Sequence, residues 1–197
     1  MPEPGATLHV ALEYYKALRS EILERLKMRD RILIGYLAAV AALIGYGVDH
    51  PAIKAPTAFI LPFLALGAAV TITQHQDQIV AFNQYITLEL WDYLPSRADH
   101  VKNFDASQAA HQHMPRNLWM NLTGQLTLLC GPPICVLFVS NYPYFENGWS
   151  LKDSYALVGL VLTLLTGARL WQSRNFRHRV MSAVFAEAKK RQHAHTP

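Results

Sequence analysis

The chain holds 197 residues, of which 51% are apolar and only 16% charged, with a formal net charge of +4. A soluble domain carries about 25% charged residues, and here the deficit is localised: residues 32–48, 55–76, 117–145 and 154–168 contain no Lys, Arg, Asp or Glu. That pattern excludes an ordinary soluble globule and a disordered chain, which pairs low hydrophobicity with high charge, and two cysteines are too few for a disulfide framework.

Residues 6–30 place Leu8, Leu12, Tyr15, Leu18, Ile22 and Leu26 at spacings of three and four, which predicts one apolar stripe on a helix, with Lys16, Arg19, Glu24 and Lys27 opposite. This helix is expected to run without a break into residues 32–48, an uncharged run between Arg31 and Asp49. Crossing about 30 Å of hydrocarbon takes about 20 apolar residues, with about 17 as the lower limit. The first run is short but sufficient. No cleavable signal peptide is expected, because a long charged segment precedes it.

A second span is predicted at residues 57–73, followed by an amphipathic segment with Ile79, Phe82, Ile86, Leu90 and Tyr93 on one face, ending at Pro95. Residues 96–116 read as a linker. The third span, residues 118–139, contains Pro132 and Pro133, which are expected to kink or break it because proline removes a helical hydrogen bond. The fourth, residues 155–171, carries Arg169 one turn from its end, where its stem can snorkel to the headgroups. A basic helix over residues 172–191 then turns Phe176, Val180, Val184 and Ala188 to one side.

The expected fold is therefore all-α, an integral membrane protein with about four transmembrane helices and a small cytoplasmic helical layer. Residues 1–31 form a cytoplasmic amphipathic helix, 32–73 the first two spans, 74–117 a cytoplasmic helix and linker, 118–171 the last two spans, and 172–197 a basic helix and tail. Lys and Arg number 16 in the terminal and central segments against two, Lys54 and Lys152, in the short connections. Short basic segments stay cytoplasmic, so both termini are expected inside a bacterial inner membrane. Tyr142, Tyr144, Phe145 and Trp149, around an Asn147-Gly148 turn, are expected at the outer interface.

The string from Tyr15 to Arg25 carries Tyr15, Leu18, Arg19, Glu21, Ile22 and Arg25 at the spacing of a Tyr-x-x-Leu-Arg-x-Glu-Ile-x-x-Arg pattern, and His75, Ile79, Tyr85, Ile86 and Glu89 fit a second one. These residues resemble the opening helix and post-span segment of a group of uncharacterised bacterial multi-span membrane proteins. Tyr14 replaces that group's first Glu, Gln76 its Asp and Asn83 its Gly. The resemblance spans residues 15–90 and contains no catalytic motif. It implies likeness to small membrane effectors of antiviral defence systems, which permeabilise membranes, and by analogy only.

No enzyme is expected: no Gly-x-Ser-x-Gly elbow, His-Glu-x-x-His helix or phosphate-binding Gly-rich loop is present. Arg174 and His178 lie too close in sequence for the Arg and His of HEPN-type ribonucleases. His111 with His113, and His193 with His195, lack Cys or carboxylate companions at metal-ligand spacing, so neither a metal nor another cofactor is expected. Cys130 and Cys135 read as small apolar groups.

Three patterns remain as functional candidates. Asn117, Asn121 and Gln125 recur every four residues along the third span, where an amide facing lipid without a partner is costly. They either bridge to Thr71, Thr73, Thr163 or Thr166 of neighbouring helices or line a pore shared by several copies. Gly35, Ala38, Ala42 and Gly45 permit close helix approach, within a subunit or between subunits, with Gly67, Ala68 and Ala69 as a partner surface. Arg174, Arg177 and Arg191 serve either topology and anionic headgroups or an anionic nucleotide or short nucleic acid. Together these give an oligomeric membrane pore or permeabilising effector as the expected function. The alternative is a non-conducting anchor or sensor subunit that recruits a soluble partner enzyme encoded nearby.

Overall fold

The computed structural model describes residues 4–49, 54–90, 93, 108–141 and 151–194. Four α-helices account for nearly all of them: α1 (Pro4–Asp49), α2 (Lys54–Tyr85), α3 (Gln108–Asn141) and α4 (Leu151–Ala194), with a π-helical turn at Ile86–Leu90 extending α2. Among the described residues there is no strand, and the fold is all-α. Among the described residues, three stretches are long and apolar enough to cross a membrane: Leu8–Gly47, Met114–Leu137 and Ala156–Glu187. Residues 95 and 142–149, where a helix stop and an aromatic loop are expected, lie outside the described residues.

α1 runs unbroken over Pro4–Asp49, the continuous rod expected from the sequence, whereas α3 and α4 are longer than the separate segments expected there. Residues 151–194 contain no proline, and no glycine after Gly167, so the fourth apolar run and the basic segment merge into one rod. α3 begins at Gln108 and therefore takes in the second half of the expected linker. It also passes through Pro132 and Pro133 without breaking. Pro133 cannot donate to the carbonyl four residues back, that of Leu129. The Tyr36 hydroxyl donates to that carbonyl instead, at 3.0 Å, in a buried setting. A side chain from α1 thus replaces the missing backbone donor.

Contacts divide the chain into two compact units. Unit 1 comprises Met1–Lys27, His75–Trp119 and Arg174–Pro197, and unit 2 comprises Met28–Gln74 and Met120–Ser173. In unit 1 the stripe on α1 packs against the end of α2: Ala11 and Ile22 meet Ile86 and Leu90, flanked by Tyr15, Leu18, Leu26, Ile79 and Phe82. Leu12 and Tyr93, expected on these stripes, instead point outward, 40% and 61% exposed. Ala11 takes the inward position, 5% exposed. Arg25 lies over the Phe82 ring, hydrogen-bonds Gln78 and pairs with Glu21 one turn back at 2.6 Å.

In unit 2 the core combines Tyr36 and Val40 of α1, Leu61, Ala65, Ala68, Ala69 and Ile72 of α2, Leu122 and Leu129 of α3, and Leu170 of α4. Among the described glycines the most closely packed is Gly159, where an added Cβ would lie 3.0 Å from Leu137 Cδ2 and 3.4 Å from Pro62 Cγ. Around this core large apolar side chains face outward, among them Ile34, Phe63, Leu157, Leu160 and Leu164. A helix that is apolar all round belongs in a core or in lipid, and these side chains are outside the core.

Candidate functional site

α3 carries the polar stripe with the periodicity its sequence requires, and its three members have different surroundings. Asn117 and Asn121 are exposed, while Gln125 is half-buried. The Gln125 Oε1 atom is fully buried and accepts no hydrogen bond from any described residue. The threonines expected as bridging partners do not donate to the stripe. Thr71 donates to the Gly67 carbonyl, Thr73 to Val70, Thr163 to Gly159 and Thr166 to Leu162, each at 2.8–2.9 Å within its own helix. Such back-bonding satisfies a hydroxyl inside an apolar segment without a neighbouring helix.

Asn121 and Gln125 form one wall of a cleft of about 170 Å³ within unit 2. Arg29, Asp30 and Leu33 of α1, Ile72 of α2, and Met120, Gly124 and Leu128 of α3 complete it. The cleft has a polar and an apolar side because it lies where the charged end of the α1 stripe gives way to the uncharged run from residue 32. Arg29 donates to Asp30 Oδ1 through Nε at 3.0 Å and through Nη2 at 2.7 Å. The ion pair leaves the cleft formally neutral. Gly124 keeps the floor open, since a Cβ there would meet nothing within 4 Å. Arg29 and Asp30 are not recognisable as site residues from sequence. Their one local signal is an adjacent cation and anion just before an apolar run, which marks a membrane boundary rather than a particular cleft.

The four small residues expected to mediate close helix approach on α1 do not pack inside the unit. Gly35, Ala38, Ala42 and Gly45 are all exposed, and a Cβ at Gly35 or Gly45 would meet nothing within 4 Å. Of their expected partners on α2, Ala68 and Ala69 are buried against Tyr36 and Val40 instead, and Gly67 is exposed. The larger residues of α1 therefore make the internal contact, and its small-residue face is left open.

The basic residues of α4 are not equivalent. Arg177 is buried, 5% exposed, so it is part of the interior of unit 1 and not of an open basic surface. Arg174 lies over the Trp119 ring, its guanidinium carbon 4.3 Å from the centroid. That cation–π contact orients the guanidinium. The side chain of Arg191 lies outside the described residues, as do those of His111, His113 and His193, and residue 195 is also outside them. No group of three metal-ligating side chains occurs among the described residues.

No family model matches this chain, and neither a curated protein nor a solved structure matches it.

Proposed function

We propose that the chain is a four-span protein of a bacterial inner membrane, both termini cytoplasmic, whose copies assemble around the Asn121 face of α3 into a permeation path. The observation that carries this reading is the exposure of Asn117 and Asn121 on a helix whose Met114–Leu137 stretch is apolar enough to cross a membrane. Exposed amides at membrane depth need water or a second protein surface. An assembly supplies both, and the open face at Gly35, Ala38, Ala42 and Gly45 offers the smooth contact that close helix association uses. α2 is the fourth span in this reading, through its uncharged residues 55–76. The basic cluster at Arg174, Arg177 and Arg191 is assigned to the cytoplasmic side, where an anionic nucleotide or nucleic acid would act through Arg174 and Arg191. The N-terminal resemblance makes antiviral permeabilisation the setting.

The test is dye leakage from vesicles containing the reconstituted full chain, measured with oligomer size on the same samples. Asn121→Leu dries the path, so leakage falls while assembly is retained. Unchanged leakage from fully assembled Asn121→Leu protein overturns the reading. A second reading, the non-conducting anchor, is favoured by the apolar side chains Val10, Tyr14 and Leu23 left exposed on unit 1. It is supported if the wild-type assembly leaks no dye and a soluble protein docks on that surface.

A further inference from the structure

We propose that Arg116 of α3 and Arg174 of α4 hold one phosphate group between them at the surface of unit 1, with the Trp119 indole fixing Arg174. The site rests on the reading that an anion acts through Arg174, and it adds that anion's chemistry and its second cation.

Arg174 is held in place before any ligand arrives. Its guanidinium carbon lies 4.3 Å from the Trp119 centroid, and its Nη1 donates to Asn175 Oδ1 at 3.3 Å, so little side-chain freedom is left to lose on binding. Trp119 is nevertheless 47% exposed, which places the pair at the surface of the unit. Arg116 stands three residues before Trp119 on α3, a spacing that puts two Cβ atoms about 5–6 Å apart on one helix face. It is exposed and forms no ion pair among the described residues. Arg177, the neighbouring cation on α4, is buried, so the second charge comes from α3. Neither helix places a carboxylate nearby, since residues 106–145 and 154–186 contain no Asp or Glu. An anion at this edge therefore meets two guanidinium groups and no repelling charge from α3 or α4. Guanidinium forks match phosphate oxygens in pairs, which selects phosphate over a halide. Arg116 is also the last charged residue before the uncharged run 117–145, and tryptophan is the residue type enriched at headgroup level. Phosphate reaches that level from two sources, an anionic phospholipid and a soluble nucleotide.

The test uses the full chain, delipidated in uncharged detergent and titrated in native mass spectrometry with phosphatidylglycerol, with phosphatidylcholine of the same acyl chains, and with ATP. The expected result is retention of phosphatidylglycerol, of ATP or of both at concentrations about tenfold below phosphatidylcholine, whose ammonium offsets its phosphate. Arg116→Ala and Arg174→Ala each weaken that retention about tenfold, the loss of one charge-assisted contact. Arg179→Ala removes an exposed cation from another face of α4 and leaves it unchanged. Oligomer size is read from the same spectra, and the exposed Arg116 keeps the test decisive if Arg174→Ala fails to assemble. Retention of the lipid alone gives the phosphate to the bilayer and retention of ATP alone gives it to a nucleotide, and the site stands in both cases. Equal retention of all three probes, or a loss with Arg179→Ala as large as that with Arg116→Ala, overturns it. Loss with Arg174→Ala but not with Arg116→Ala also overturns it, while leaving Arg174 as an anion contact. Dye leakage is measured separately, so a protein that binds phosphate without leaking keeps this site and loses the permeation path, and one that leaks but retains neither phosphate does the reverse.

Discussion

Tyr36→Phe tests whether α3 owes its continuity at the proline pair to a donor from α1. The substitution deletes one hydroxyl and leaves the ring in place. It strands the Leu129 carbonyl, which accepts that hydroxyl at 3.0 Å and belongs to a residue with no exposed surface. A buried acceptor left unpaired costs about 1–3 kcal/mol. Hydrogen bonds inside membrane proteins average about 0.6 and reach about 1.7 kcal/mol, because the unfolded state in detergent or lipid also finds partners. Neither Pro132 nor Pro133 can offer Leu129 a backbone N–H, so the expected cost is about 1–2 kcal/mol, near the top of the membrane range. Pro133→Ala supplies the missing N–H from within α3. In that background Tyr36→Phe should cost little, giving a coupling of about 1 kcal/mol in a double-mutant cycle. Reversible unfolding in mixed micelles measures all four variants. Additive effects, with Tyr36→Phe costing the same whether residue 133 is Pro or Ala, would refute the reasoning, since the hydroxyl would then not be replacing the backbone donor.

Gly159→Val should destabilise by about 1–3 kcal/mol through overpacking, because an added Cβ lies 3.0 Å from Leu137 and 3.4 Å from Pro62. Gly35→Ala, where nothing lies within 4 Å, should be neutral or should stabilise the subunit by up to about 1 kcal/mol through helix propensity; thermal unfolding compares the two. In intact cells, single cysteines at residues 10 and 105 should be shielded from an impermeant thiol reagent and one at residue 52 labelled, on a background with both natural cysteines replaced; labelling at residue 105 would sink the four-span topology. The Lys16 ammonium, hydrogen-bonded to Glu13 at 3.0 Å, holds that carboxyl below its usual 4.5. The pair's contribution is therefore complete above pH 4.5 and is lost as pH falls through the lowered value. An NMR titration should show the Glu13 midpoint rising in Lys16→Met, and an unmoved midpoint would remove Lys16 as the cause.

Charge-free runs and three-four spacing make the helices legible in the sequence alone, and the same spacing identifies Tyr15, Leu18, Ile22 and Leu26 with Ile79, Phe82, Ile86 and Leu90 as inward stripes. Both signals are local: an apolar run sets where a helix can lie in lipid, and periodicity sets which residues share a face. The tertiary structure decides what each face meets. Periodicity on α4 cannot say that Arg177 is interior, because α4 has apolar or basic residues on every side and only its neighbours select one. Small residues on α1 read equally well as an internal or an external contact until Tyr36 and Val40 are seen to occupy the internal one. Proline at positions 132 and 133 removes local hydrogen bonds, and the donor that compensates reaches the Leu129 carbonyl from Tyr36, 93 positions before it. The cleft likewise joins Arg29 and Asp30 to Asn121 and Gln125, residues from two helices far apart in the chain. Sequence pattern assigns faces through the backbone's own geometry, whereas partners across a long chain separation are chosen by packing.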